Sequence, residues 1–258
     1  CQERDATKCE LFIVVGDSAG GCFDGHTEVA LSDGLNVSFV QLVQELEQGK
    51  KNYCYTIRKD GRIGLAPIEN VRRTKKEAEV LKVVLDDGSD IVCTPDHRFM
   101  LRDGSYCEAK DLAAGDSLMP LRRQLSRLGK RITIEGYEMV YDPRDMRWLF
   151  THMLADRYNL ETGAYEEAAG PHRHHKDFDK RNNNPDNIVR LTSEGHLDEH
   201  RRHAKKTLHR PDVIEKGRLL RKTKEFRDKI RAAMSRPQMR ASLSARAKKQ
   251  WEDPEYKR

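Results

Sequence analysis

Four Asp-Gly pairs, at 33/34, 60/61, 87/88 and 103/104, punctuate the first half of this chain. Glycine adopts the positive φ of a tight hairpin at little steric cost, and an aspartate beside it can hydrogen-bond its own backbone, so each pair between apolar runs reads as a hairpin turn. The runs Tyr53 to Ile57, Val80 to Leu85 and Ile91 to Thr94 read as strands between them. One helix interrupts the pattern, at 39–46, with apolar residues at 39, 42, 43 and 46. The first half is therefore expected to be β-rich, built of repeated hairpins.

The 258 residues give room for two small domains and a tail, but only 37% are hydrophobic and 35% are charged. Core material must be concentrated in part of the chain. The six cysteines contain no C-x-x-C pair, and no apolar run approaches a membrane span or signal sequence. These features point to a reducing, cytoplasmic setting with no membrane partner, which would keep thiols free to react.

A seam lies at Gly21-Cys22. Before it, the run Glu10 to Val15 enters Gly16-Asp17-Ser18-Ala19-Gly20-Gly21, one strand feeding a glycine-rich turn. After it, CFDGHTEVALSDG starts a new alternation that leads to Cys93-Thr94-Pro95-Asp96-His97. A thiol beside an unhindered glycine carbonyl can attack its own upstream peptide bond if another group positions that bond and protonates the departing nitrogen. Thr94 can do the first and His97 the second. Taken singly, a cysteine such as Cys22 is more commonly a small buried hydrophobe.

CFDGHTEVALSDG resembles the opening block of inteins with a Hint splicing domain, and DDGSDIVCTPDHRFMLRDG with GDSLMPL resembles their block carrying T-x-x-H. The resemblance spans roughly residues 22–122. It implies a mainly β, horseshoe-like Hint domain, with Cys22, Thr94 and His97 as catalytic residues. Residues 1–21, CQERDATKCELFIVVGDSAGG, resemble the Toprim segment of the B subunit of DNA gyrase and would be the N-extein, although Val15 stands where that segment ordinarily has glutamate. Such inteins end in two further blocks and a terminal His-Asn, whereas this sequence stops at Arg258. The splicing fold is thus expected to be incomplete at its C-terminal end, its partner being either a separate C-terminal intein half or a missing downstream chain.

A second chemical cluster follows a helix expected over 143–160, with Met146, Leu149, Phe150, Met153 and Leu154 along one side. It reads HRHHKDFDKRNNNPDNIVRLTSEGHLDEHRRH from His172. His174 and His175 adjoin on an expected strand and so point to opposite faces. His196 and His200 lie four apart on a helix begun at Thr192 or Ser193, which stacks both imidazoles on one face, as a shared ion requires. Asn187, in the loop between, can pin the loop shape or orient an imidazole. A zinc knuckle or a polar surface loop is the blander reading.

The cluster resembles the HNH nuclease motif. That implies an α+β (ββα-metal) domain over 123–207, with His175 as general base, His174, His196 and His200 as ligands to one divalent cation, and Asn187 as the middle asparagine. Magnesium, manganese, nickel and zinc are not distinguished. From Arg201 onward the chain carries 20 Lys and Arg against 7 Asp and Glu, about +13, while the whole is +6, so the first 200 residues are net acidic. This tail, 208–258, repeats loosely about every thirteen residues, with Val213, Phe226 and Met239 opening basic helical stretches and Trp251 beginning another. It resembles the modular DNA-binding repeats appended to homing nucleases, the alternative being a solvated charged helix or linker.

Together the resemblances imply the N-terminal part of an intein-bearing gyrase B precursor. It would splice itself through an N–S acyl shift at Gly21-Cys22 and cut double-stranded DNA at the uninterrupted gyrase B gene. Two alternatives are an inactive or split intein fragment that only binds DNA, and a free-standing HNH nuclease.

Overall fold

A computed structural model describes residues 11–13, 21–129 and 132–252. Val15 and Asp17 lie outside them. The chain forms two compact units, Cys1–Ser193 and Glu194–Arg258. Small antiparallel sheets dominate the first and helices the second.

The first unit opens with β1 (Leu11–Ile13), β2 (Phe23–Asp24), β3 (Glu28–Ala30), β4 (Asn36–Ser38), α1 (Phe39–Glu47), β5 (Tyr53–Ile57), β6 (Ile63–Pro67), β7 (Arg72–Lys75), β8 (Leu81–Val84), β9 (Asp90–Cys93), β10 (Arg98–Met100) and β11 (Tyr106–Glu108). Five of these strands form a sheet in the order β7-β1-β2-β9-β8, and β3-β4, β5-β6 and β10-β11 form separate hairpins. The strand before the seam, β1, lies between β2 and β7.

All four Asp-Gly pairs make the same turn. Gly34, Gly61, Gly88 and Gly104 have φ between +79° and +91°. In each case the aspartate Oδ1 accepts the N–H two residues ahead, from Leu35, Arg62, Ser89 and Ser105, at 2.9–3.1 Å. An L side chain in place of glycine would be strained there. Helix α1 starts at a capping box: Ser38 accepts from the Gln41 N–H, and the Gln41 side chain accepts from the Ser38 N–H. Its buried Phe39 and Leu42 join Leu31, Val37, Ile68 and Val71 in one core.

Next come β12 (Arg123–Leu125), β13 (Glu138–Asp142), β14 (Arg147–Phe150), α2 (Thr151–Glu161), β15 (His172–His175) and β16 (Ile188–Leu191). The helix expected over 143–160 is a strand and then a helix. The Asp142 carboxylate accepts the N–H groups of Arg144 and Asp145, closing a β13–β14 hairpin in which Trp148 faces Tyr141. Met146 sits in that turn with φ +49° and a side chain 75% exposed, so it does not belong to the apolar face. Cross-strand pairing and a local carboxylate turn outweigh the helical spacing of the apolar residues.

A second core joins Ile63 and Leu65 of β6 to Val140, Leu154, Ala155 and Ile188. It crosses the boundary expected near residue 122. Within it, α2 is tied to the strands by buried Asp156, which accepts two hydrogen bonds from Arg190 (2.7 and 2.8 Å), one from Arg173 and one from Tyr165. Burial opposes ionisation of Asp156, but these donors outweigh it and hold its pKa below the usual carboxylate value.

The helices of the C-terminal region are α3 (Ser193–Thr207), α4 (Pro211–Lys222), α5 (Lys224–Met234) and α6 (Pro237–Glu252). Proline starts α4 and α6, where its missing N–H costs nothing, and the Thr223 hydroxyl caps α5 by accepting from Phe226 N–H. Val213, Phe226 and Met239 are each the third residue of their helix, so the thirteen-residue period is structural. Trp251 lies in the last turn of α6 and does not begin another helix among the described residues. None of these four helices has a buried residue, and no helix among the described residues is long and apolar enough to cross a membrane.

Candidate functional sites

Cys22 enters β2, whose Phe23 pairs with Cys93 of β9, and this register brings Cys22 beside Thr94. The Cys22 N–H donates to Thr94 Oγ1 at 2.9 Å, and the Thr94 N–H donates to the Cys22 carbonyl at 2.9 Å. One threonine thus holds both sides of the cysteine backbone. The Thr94 carbonyl in turn accepts from His97 N–H at 3.0 Å, turning the chain so that His97 meets the seam. A Cβ on Gly21 would lie 2.4 Å from His97 Cα, and Gly21 has φ +94°, so both space and backbone conformation demand glycine.

The His97 ring packs 4.0 Å from Phe23 and 5.0 Å from Phe99, centroid to centroid. Its Nδ1 is buried with no hydrogen-bond partner among the described residues. Burial pushes its pKa below the ordinary histidine value, with Asp96 pulling the other way. The Cys22 sulfur is 3.5 Å from Thr74 Oγ1 and packs with Ala78, Val80 and Val92. The other thiols of this region are poor nucleophiles, since burial pushes Cys54 up to about 11, and burial with nearby Asp96 pushes Cys93 up to about 12.

At the second site β15 pairs with β16 through His175↔Ile188 and His174↔Val189. Both imidazoles are buried, and they meet different neighbours. His175 lies near Tyr137 and His152, at 6.0 and 5.8 Å between centroids, while His174 packs on Phe178 at 4.8 Å. His175 Nε2 is 3.1 Å from Asn183 Oδ1. Asn187 makes a different set of bonds: its amide donates to Asp177 Oδ1 and the Asn182 carbonyl, and its oxygen accepts from Asp177 N–H. Asn187 fastens the loop, and the asparagine on the imidazole is Asn183. The local run Asn182-Asn183-Asn184 signalled an amide-rich loop, but which amide reaches the ring depends on the fold.

His152 also escaped the sequence reading. It stacks on Phe150 at 5.4 Å, and its Nδ1 is buried without a hydrogen-bond partner among the described residues. Burial first, then the neighbouring His175 and Arg173, lower its pKa to about 4.

His196 and His200 lie one turn apart on α3, each offering a ring nitrogen that could bind a metal ion. The Nε2 atoms of His196 and His200 are 3.2 Å apart. Two nitrogens bound tetrahedrally at about 2.0–2.1 Å are separated by roughly 3.3 Å, so this spacing suits a shared ion. Imidazole donors favour zinc, nickel or manganese over magnesium.

No protein-family profile matches this chain. Its whole length, however, aligns with the B subunit of DNA gyrase from Synechocystis sp. at 57% identity over 258 residues. The two are homologous. The chain spans 24% of that protein's length. Since the match covers all of this chain, the stretches bearing Cys22, the histidines and the basic helices all have counterparts there.

Proposed function

We propose that this chain is a portion of a gyrase B precursor interrupted by an intein, and that it carries two activities. The observation that supports the first most directly is the reciprocal pair of bonds between Cys22 and Thr94, with Gly21 pressed against His97. In the first step the Cys22 sulfur attacks the Gly21 carbonyl carbon. The peptide C–N bond breaks, and the Cys22 nitrogen gains a proton and becomes a free amine, leaving a Gly21 thioester. Thr94 positions the Cys22 backbone, and His97 is the group beside the scissile bond that can pass the proton. The homologous gyrase protein supports gyrase B as the host: a match of 57% identity over the full 258 residues is the expected result if the relative carries the same insertion.

Hydroxylamine tests this reading. Released 21-residue N-terminal peptide is expected by mass spectrometry from the wild-type chain and none from Cys22→Ala; equal release from both, or none from either, defeats it.

The second activity is phosphodiester hydrolysis by the His175 region. His196 and His200 would hold a divalent cation, which when bound would supply charge stabilisation at the scissile phosphate. His175 would take the proton from the attacking water. The basic helices would bind duplex DNA along its phosphates, with affinity falling steeply as salt rises. The substrate consistent with a homing function is the uninterrupted gyrase B gene, so plasmid carrying that site is the appropriate probe.

A further inference from the structure

We propose that Asn183 is the positioning residue for the His175 imidazole, setting its tautomer so that Nδ1 carries the lone pair. The proposal rests on the nuclease reading above and adds the residue that prepares its base.

A carboxamide has one acceptor oxygen and one donor nitrogen, and its neighbours decide which is which. Asn183 Nδ2 donates to the Arg181 carbonyl at 2.8 Å, which identifies the nitrogen side. The oxygen is then the atom facing His175 Nε2 at 3.1 Å. An amide oxygen only accepts, so Nε2 must carry the hydrogen. A neutral imidazole has a single N–H, which leaves Nδ1 unprotonated. Nδ1 has no hydrogen-bond partner among the described residues. A base needs just such an uncommitted lone pair.

Asn183 is itself immobilised. It is fully buried, and its backbone N–H donates to the Ser32 carbonyl at 3.0 Å. Ser32 is also fully buried; its hydroxyl donates to Asn184 Oδ1 at 2.6 Å and its N–H donates to the Tyr53 carbonyl at 2.9 Å. The first Asp-Gly turn, at 31–35, is thus the support on which the Asn183 amide rests. A side chain with both ends of its amide bonded and no room to turn holds its partner ring in one orientation, and this rotational restriction is already met before substrate arrives. Asn187, which lacks any hydrogen bond to an imidazole, cannot do the same.

The test uses the full chain with 15N-labelled histidine. Long-range 1H–15N spectra at pH 7.5 report the tautomer of each ring, the His175 signals being those lost in His175→Ala. The wild type is expected to show the Nε2–H form, Asn183→Ala a mixture or the Nδ1–H form, and Asn183→Asp the Nε2–H form again. In parallel, cleavage of supercoiled plasmid bearing the uninterrupted gyrase B site, with manganese as the ion, should fall roughly 10- to 100-fold in kcat for Asn183→Ala at unchanged KM, and recover substantially in Asn183→Asp. An unchanged Nε2–H signal in Asn183→Ala, or no recovery of kcat in Asn183→Asp, overturns the proposal. If the alanine variant does not fold, loss of the Nε2–H signal in Asn183→Asp overturns it. A wild type that cuts no plasmid removes the nuclease reading alone, since the tautomer measurement still decides whether Asn183 sets the ring.

Discussion

His97 and His175 are both largely withdrawn from water, yet they are held in opposite ways. His97 is anchored through its backbone, by the bond to the Thr94 carbonyl and the close approach of Gly21, and its ring lies among aromatic faces with Nδ1 unpartnered among the described residues. His175 is anchored through the ring itself, by the Asn183 carboxamide. A ring held only by packing can change its protonation and its partner as a reaction proceeds, which suits a group that must pass a proton to a leaving nitrogen. A ring held by an amide keeps one tautomer, which suits a base that repeatedly takes a proton from water. The difference shows that burial alone does not assign a histidine its role: the hydrogen bonds around it do.

The sharpest way to break this comparison is to remove one ring and ask whether the other site notices. His175→Ala should lower metal-dependent plasmid cutting by about 10²- to 10⁴-fold, the range for loss of a general base, while leaving salt-sensitive DNA binding and hydroxylamine release of the N-terminal peptide intact. Loss of peptide release in the same variant would mean that the sites are not chemically separate.

A smaller effect should come from His152, beside His175. Its folded pKa of about 4 lies below the ordinary 6.5, so between those values the unfolded chain binds the extra proton and the folded chain does not. Stability should therefore be complete above pH 6.5 and fall as pH drops toward 4, by as much as about 3 kcal/mol. Urea titrations of the wild type and His152→Phe across that window measure it, and a phenylalanine variant with the same acid slope would show that another group is responsible.

At the first site, Thr94→Val keeps the shape but removes the hydroxyl that accepts from Cys22 N–H. Leaving that donor unpaired should cost about 1–2 kcal/mol and slow peptide release roughly tenfold, with plasmid cutting unchanged. The smallest effect is expected at Asp103→Ala, where the carboxylate accepts from both the N–H and the hydroxyl of Ser105. A small drop in melting temperature, with neither activity altered, would set the baseline for a turn that only supports the fold.

Much of this architecture is legible in local sequence because its causes are local. Each Asp-Gly turn is made by an aspartate and a glycine within five residues, Ser38 and Gln41 cap α1 within one turn, and the period of the tail helices follows from Pro211, Thr223 and Pro237. The 143–160 stretch misleads for the complementary reason: its helical spacing is real, but the pairing of β14 with β13 decides its conformation.

The sites divide along the same line. Residue types and spacing marked Cys22, Thr94, His97, His174, His175, Asn187, His196 and His200 as places where chemistry could occur, because a thiol after paired glycines and imidazoles four apart are unusual patterns whatever the fold. Tertiary structure alone decided that Asn183 rather than Asn187 meets His175, that His152 lies beside it, and that the amide rests on Ser32, far away in the chain. A side chain's type and neighbours in sequence limit what bonds it can make, but which partner lies within 3 Å is set by how distant strands pack, and that information is spread over the whole core.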